Sequence, residues 1–220
     1  MSPTLPETDA ALDAVMPVPR ETRERLAVYV ALLAKWQKSQ NLVAPATMPK
    51  VWSRHVADSL QVHAALPDIL RWADIGSGAG FPGLVTAICL AGRPGAIVHL
   101  VESNKGKAAF LRTVARETGA PAEVHADRIE TVLPGLAGAV EGLSARALAP
   151  LVELCRMVHP LMRPGVRALF HKGQDFASEL ADATQSWDLD VVERPSRIDP
   201  AGRLILISGM SPKPLSGAGR

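Results

Sequence analysis

The chain has 220 residues, 47% of them hydrophobic and 21% charged, with a formal net charge of +2. That is enough apolar material for one sizeable core, and no apolar run is long enough to cross a bilayer. Two cysteines, Cys89 and Cys155, both in apolar helix-like runs, read as core residues of a reducing compartment, with neither a disulfide nor a metal site expected. Asp9, Asp13, Pro17 and Pro19 interrupt the start where a secretory signal would be unbroken and apolar, so a cytoplasmic enzyme is expected.

Residues 1–19, rich in Pro and Ala, read as a flexible leader. Leu26, Tyr29, Val30, Leu33 and Trp36 then recur at helical spacing, and a second helical pattern runs from Pro49 to Leu66. Together these make an N-terminal helical cap over residues 20–68. It carries Arg20, Arg23, Arg25, Lys35, Lys38, Lys50 and Arg54 against Glu21 and Glu24, a local basic face suited to phosphate or simply a solvated helix surface.

From residue 69 to 210 short apolar strands alternate with helices. Strands are expected at Arg71–Ile75, Ala96–Glu102, Ala122–His125, Leu143–Arg146, Val166–His171, Leu189–Glu193 and Leu204–Ser208, and helices at Leu84–Leu90, Lys105–Gly119, Pro150–Leu161 and Phe176–Ala183. Alternation of this kind implies an α/β, doubly wound, mostly parallel sheet. The last two strands, joined without a helix, predict an antiparallel edge hairpin on a seven-stranded sheet. The tail from Ser211 reads as disordered.

The most informative run is Asp74-Ile75-Gly76-Ser77-Gly78-Ala79-Gly80-Phe81-Pro82-Gly83, between the first strand and the first helix of this domain. Glycines at alternate positions let the backbone turn sharply and admit a ligand against the main chain. Gly78, Gly80 and Gly83 also satisfy a dinucleotide-binding pattern, which by itself is weak. Asp74 moves the balance, because a carboxylate there repels a pyrophosphate but suits the positive charge of S-adenosylmethionine. Glu102, closing the second strand, can accept hydrogen bonds from both ribose hydroxyls of an adenosine. After the third strand, Asp127 or Glu130 can meet the adenine amino group, with Ile129 against the ring; a capping segment for a short helix is the competing reading.

Ser144-Ala145-Arg146-Ala147-Leu148 ends the fourth strand, where an amine methyltransferase often carries Asn-Pro-Pro-aromatic. Arg146 stands there instead, a donor that cannot act as a base. With no acceptor cluster and no cysteine at a strand end, guanine N7 is one nucleophile that fits: its lone pair is free, and orientation suffices. A guanidinium can meet the same base through O6.

These motifs resemble the RsmG (GidB) family of bacterial 16S ribosomal RNA guanine-N7 methyltransferases, in the same order from Trp36 to Ser208. The resemblance rests on Trp36 with Asn41-Leu42, on Arg54-His55-Val56-Ala57-Asp58-Ser59-Leu60, and on the glycine loop ending Gly80-Phe81-Pro82-Gly83. It continues through Glu102-Ser103, Phe110-Leu111, Arg128-Ile129-Glu130, Ser144 to Ala147 and His171-Lys172-Gly173. It implies a Rossmann-like class I methyltransferase fold and S-adenosyl-L-methionine as cofactor, with Gly76, Phe81, Ile129, Glu130 and Arg146 at cofactor-contacting positions. Asp74, Gly78, Gly80 and Glu102 complete the expected cofactor set. Arg146 is the expected positioning residue for the reaction. Arg54, His55, Arg128 and Lys172 are the expected RNA-facing residues, although an Arg54–Asp58 surface pair would account for the first equally well. The implied partner is 16S rRNA in the small ribosomal subunit, met by a monomer without metal or membrane. Three departures stand out: Glu102 stands where the family often has Asp and keeps the ribose acceptor, Gly106 replaces a basic residue and calls one RNA contact into question, and Glu141-Gly142 suggests a weaker start to the fourth strand. A small-molecule methyltransferase and a non-catalytic ribosome-binding factor remain as alternatives.

Overall fold

Strand runs buried on nearly every residue, such as Trp72 to Ile75 and Val98 to Val101, fit only the middle of a sheet covered on both faces. In the computed structural model, which describes residues 10–214, seven strands form one sheet. They are β1 (Arg71–Ile75), β2 (Ile97–Val101), β3 (Ala122–His125), β4 (Gly142–Arg146), β5 (Arg167–Lys172), β6 (Trp187–Pro195) and β7 (Arg203–Pro212), in the order β3-β2-β1-β4-β5-β7-β6. The first five pair in parallel, while β7 is antiparallel to both β5 and β6. Strand order reverses between β1 and β4, and ligands of open α/β sheets bind outside the carboxyl ends at such a point.

Helices α1 (Arg20–Trp36), α2 (Asp58–Ala65), α3 (Gly83–Cys89) and α4 (Lys105–Thr118) precede the switch of sides; α5 (Ile129–Val132), α6 (Leu151–Val158) and α7 (Phe176–Ser186) follow it. One core gathers Leu26, Leu33, Leu84, Leu100 and Phe110, and the other Leu143, Leu154, Phe170 and Trp187. The ends of α4 show how locally the chain is instructed. The Asn104 side chain accepts from the Lys107 amide at 3.0 Å, and Gly119 closes the helix at φ +62°. Among the described residues no helix is long and apolar enough to cross a membrane.

Four expectations need correction. The stretch before α1 is not a free leader: residues 10–13 are helical, Leu12, Val15 and Val18 are buried, and Arg197 donates to the Val15 carbonyl at 2.6 Å. Residues 1–9 lie outside the described part. At the other end β7 continues through Pro212, and the Lys213 amide bonds Ser186 at 2.8 Å, so Ser211 is strand; residues 215–220 lie outside the described part.

The expected helix from Pro49 to Leu66 is three pieces, a 3-10 turn (Pro45–Lys50), a π turn (Trp52–Ala57) and α2. The amide of Asp58 bonds Ser53 and His55, which leaves the Arg54 carbonyl free to accept from the Arg146 guanidinium at 3.2 Å. The helix widens where an outside donor takes one of its carbonyls.

Glu141-Gly142 ties down β4 instead of weakening it. The Glu141 carboxylate accepts from the amides of Leu70 and Arg71, each at 3.2 Å, and pairs with the Arg71 guanidinium at 2.9 Å. Gly142 lets the Trp72 indole lie on the backbone, where an added Cβ would sit 2.7 Å from the ring. Gly142→Ala is therefore expected to destabilise the fold by about 1–3 kcal/mol through overpacking, read as a lower urea midpoint at unchanged slope.

Candidate active site

The glycine loop leaves β1 at its carboxyl end and is pinned from several sides. Gly76 (φ +65°) and Gly78 (φ +56°) adopt left-handed backbone that other residues avoid, and a Cβ on Gly76 would collide with Leu148. The Ser77 amide bonds Val101, and the Gly78 amide donates to Glu102 Oε2 at 2.8 Å. Glu102 Oε1 accepts from the Asn104 amide at 2.7 Å, and the Glu102 amide bonds the His125 carbonyl. The ribose-type acid of the sequence reading is thus fixed by backbone on three sides. It faces a cavity of about 530 Å³ lined also by Leu42, Val43, Phe81, Ile129, Glu130 and Arg146.

Two members of the expected cofactor set do not line that cavity. Asp74 is 1% exposed and turns into the sheet, its Oδ1 accepting from the Ser144 hydroxyl at 2.6 Å. Burial pushes its carboxyl up to about 6, opposed first by that hydroxyl. Alternation along β1 is the reason: Asp74 points toward the core on the face opposite its neighbours. Gly80 (φ +96°) serves packing, since a Cβ there would strike Leu84 of α3.

Arg146, closing β4, is the centre of the site. Its Nη1 donates to the Arg54 carbonyl at 3.2 Å and to Asp58 Oδ2 at 3.3 Å, and its Nη2 lies 3.0 Å from His55 Nδ1. The guanidinium carbon sits 5.3 Å from the Phe81 ring centre, and His55 stacks on the same ring at 5.0 Å. A guanidinium only donates, so His55 Nδ1 must present a lone pair and Nε2 must carry the proton. That proton goes to Thr47 Oγ1 at 2.8 Å, and Thr47 in turn donates to the Ala44 carbonyl at 2.7 Å. Burial, reinforced by the Arg146 charge, lowers the His55 pKa to about 4.

Asp58 is held from three directions, by Arg146, by Gln61 Nε2 at 3.0 Å, and through its carbonyl by His171 Nε2 at 3.0 Å. Burial depresses the His171 pKa, with Asp58 opposing, so that ring is neutral as well.

A second cavity, of about 630 Å³, lies on the other side of Arg146 and is lined by Arg54, His55, Asp58, Lys172, Asp199 and Arg203 among others. Its cations are mostly committed. Arg54 pairs with Asp199 at 2.8 Å, so the expected Arg54–Asp58 pair does not form. Lys172 is engaged by Glu179 at 2.6 Å and by the Ala149 carbonyl at 2.7 Å, its side chain 7% exposed. Lys172 therefore braces the loop after β4 and does not present a free ammonium to a phosphate. Arg128 is exposed beside the first cavity and its amide is capped by Asp127 at 2.7 Å. It opens the short helix α5, so the Asp127–Glu130 stretch both starts a helix and lines the cavity.

Tyr29 braces the site and was not flagged by the sequence. Its hydroxyl donates to the Ala79 carbonyl at 2.5 Å while its ring lies 5.1 Å from Phe81, so the cap grips the glycine loop directly. Tyr29 read only as one apolar position of a helical stripe, and Thr47 and Glu179 carried no local signal at all.

A reversed strand order, a glycine loop at the switch point, an acid closing β2 and an antiparallel last hairpin define a class I S-adenosylmethionine-dependent methyltransferase fold. An O-methyltransferase from Bacillus cereus, solved in complex with SAH, shares it with a TM-score of 0.57 at 13% identity, over 93% of this chain and 97% of that one. Residues 22–198 match the family model described as rRNA small subunit methyltransferase G, and the chain belongs to that family. Ribosomal RNA small subunit methyltransferase G of Bradyrhizobium sp. (strain BTAi1) is 49% identical over 198 residues, 90% of this chain and 89% of the relative. The protein of that name from Parvibaculum lavamentivorans is 49% identical over 201 residues, 91% and 88% of the two chains.

The His55 environment fixes a pH dependence. The unfolded ring takes up its proton near 6.5 and the folded ring near 4. The unfolded state therefore binds more protons between these values, and stability from this group is full above 6.5 and declines as pH falls toward 4. His55 ring 15N shifts are expected to stay flat from pH 8 to pH 5, with the Nε2-protonated pattern throughout.

Proposed function

We propose that this chain transfers a methyl group from S-adenosylmethionine to N7 of one guanine in 16S ribosomal RNA, as a monomer in the cytoplasm. The observation that carries the reading is the shared wall Arg146-Ala147-Leu148, which lines both cavities. The first cavity fits an adenosine: Glu102 is backbone-held, the Gly76–Gly78 turn brings main chain close, and Ile129, Leu42 and Val43 supply apolar lining. In it Glu102 would take the ribose hydroxyls, and Asp127 or Glu130 the adenine amino group. The bound cofactor supplies a methyl on a cationic sulfur.

What the chain adds is position. Both nitrogens of His55 are used, Asp58 is paired with Arg146, and the buried Tyr29 is held well above its usual pKa, so none of these can act as a base. A nucleophile whose lone pair is already free, as on guanine N7, matches that inventory. The Arg146 Nε–H and one Nη2–H have no partner among the described residues and are the donors available to O6. The charged and polar lining of the second cavity suits a polar acceptor better than a small apolar one. With aromatics at 4% of the chain, phosphate contacts and ribonucleoprotein shape, not base stacking, are expected to carry recognition.

The test is methyl-labelled S-adenosylmethionine with small ribosomal subunits from cells lacking the modification. Label in the RNA, with strand scission at a single N7-methylguanine, is expected. Arg146→Ala is expected to lower kcat by about 100-fold or more while subunit binding persists. Glu102→Ala is expected to weaken cofactor binding about 10–100-fold by removing charge-assisted hydrogen bonds. Cofactor binding with label in no RNA would overturn the assignment of substrate.

A further inference from the structure

A second constellation stands apart from both cavities, on the outer strand pair. The parallel register sets His99 of β2 opposite Glu123 of β3, and His125 follows two residues later on the same face. His99 Nδ1 lies 3.0 Å from His125 Nε2 and 3.6 Å from Glu123 Oε2, and Glu123 Oε1 is 3.8 Å from His125 Nε2. We propose that His99, Glu123 and His125 form a site for one divalent transition-metal ion, with zinc as its occupant.

The spacings suit that ion. Ligands about 2.0–2.2 Å from a tetrahedral zinc stand about 3.3–3.6 Å apart, so little movement is needed to seat one. Two imidazole nitrogens facing each other can share a single proton, which leaves one lone pair committed to accepting it; a cation uses both. Two imidazoles with one carboxylate select zinc-like ions over magnesium or calcium, which require oxygen cages. The buried His99 anchors the set, while Glu123 is exposed and His125 half-buried, so an ion can reach it from solvent.

The ion would clamp the edge strand to its neighbour. The His125 carbonyl accepts from the Glu102 amide, and Asp127 to Glu130 follow within five residues to line the first cavity. A clamp here stiffens the strand that leads into that wall, without taking part in bond making. Twenty-six positions separate the two histidines. Only strand register joins them, so no metal-ligand spacing is visible along the chain.

The test uses the full, tag-free chain, stripped with chelator and titrated with Zn²⁺ by calorimetry and with Co²⁺ by visible absorption. One ion per chain is expected, with the intense d–d bands of tetrahedral Co²⁺ and a raised thermal midpoint. Glu123→Ala and His125→Gln are each expected to weaken binding by more than tenfold, since even the outer partners of a metal ligand account for about 10–100-fold. His159→Gln, away from the cluster, is expected to leave binding unchanged, and cooperative unfolding of every variant shows that it is folded. No stoichiometric uptake, or equal affinity in the Glu123→Ala and His125→Gln chains, overturns the proposal. Neither readout depends on methyl transfer.

Discussion

One buried positive charge organises this molecule. The Arg146 side chain is 18% exposed, and a guanidinium taken that far from water has to be met by acceptors. They come from a single segment of the cap: the Arg54 carbonyl, His55 Nδ1 and Asp58 Oδ2. Each acceptor then fixes something else. The carbonyl is released by widening the helix into a π turn. The imidazole is forced into one tautomer and kept neutral, and the carboxylate is held by Gln61 so that it stays aimed at Arg146. Removing the Asp58 carboxylate would leave the guanidinium buried without its counter-charge, which costs more than the pair itself contributes.

The same constraint explains why the N-terminal helices form the roof of the site and not a separate appendage. Phe81 lies between Tyr29 and His55, and Phe110 between Tyr29 and Trp36, so aromatic contacts run from the cap into the glycine loop and α4. Pairs of this kind are worth about 0.5–1.5 kcal/mol each beyond their buried area. The Tyr29 hydroxyl adds a bond to a loop carbonyl in a place water does not reach. Loop, roof and guanidinium therefore hold one another, and the loop is preorganised before any ligand arrives.

What the sequence made legible was whatever is signalled locally. The β1 loop, Glu102 and the limits of α4 were readable because glycines, a strand-ending acid, Asn104 and Gly119 act within a few residues of themselves. Fold class followed from alternation and from the helix-free last connection. Pairings across the fold were not readable. Lys172 with Glu179, Arg54 with Asp199, and Arg146 with Asp58 join residues on different elements, and no spacing announces them. The surroundings of Asp74 were not readable for a related reason. A carboxylate next to a binding loop suggests a ligand, yet its position in β1 aims it at Ser144. The leader was misjudged because Leu12, Val15 and Val18 lack a clean period, although Arg197 and the core still immobilise them.

The pre-paired cations also constrain how an RNA is met under the proposed function. A half-exposed pair such as Arg54–Asp199 is worth about 0–1 kcal/mol, so exchanging the carboxylate for a phosphate costs little. Lys172–Glu179 is different: the ammonium is nearly inaccessible, Glu179 also accepts from the Leu151 amide at 2.7 Å, and separating them would strand a buried charge. Arg54 can therefore change partners and Lys172 cannot. Phosphate recognition then falls on Arg54, the exposed Arg128 and the unburied part of the cap, while Lys172 keeps the loop after β4 in place. Because Arg146 begins that loop and its guanidinium is held by the roof, under the proposed function the methyl acceptor would meet groups that are already braced before the backbone contacts form.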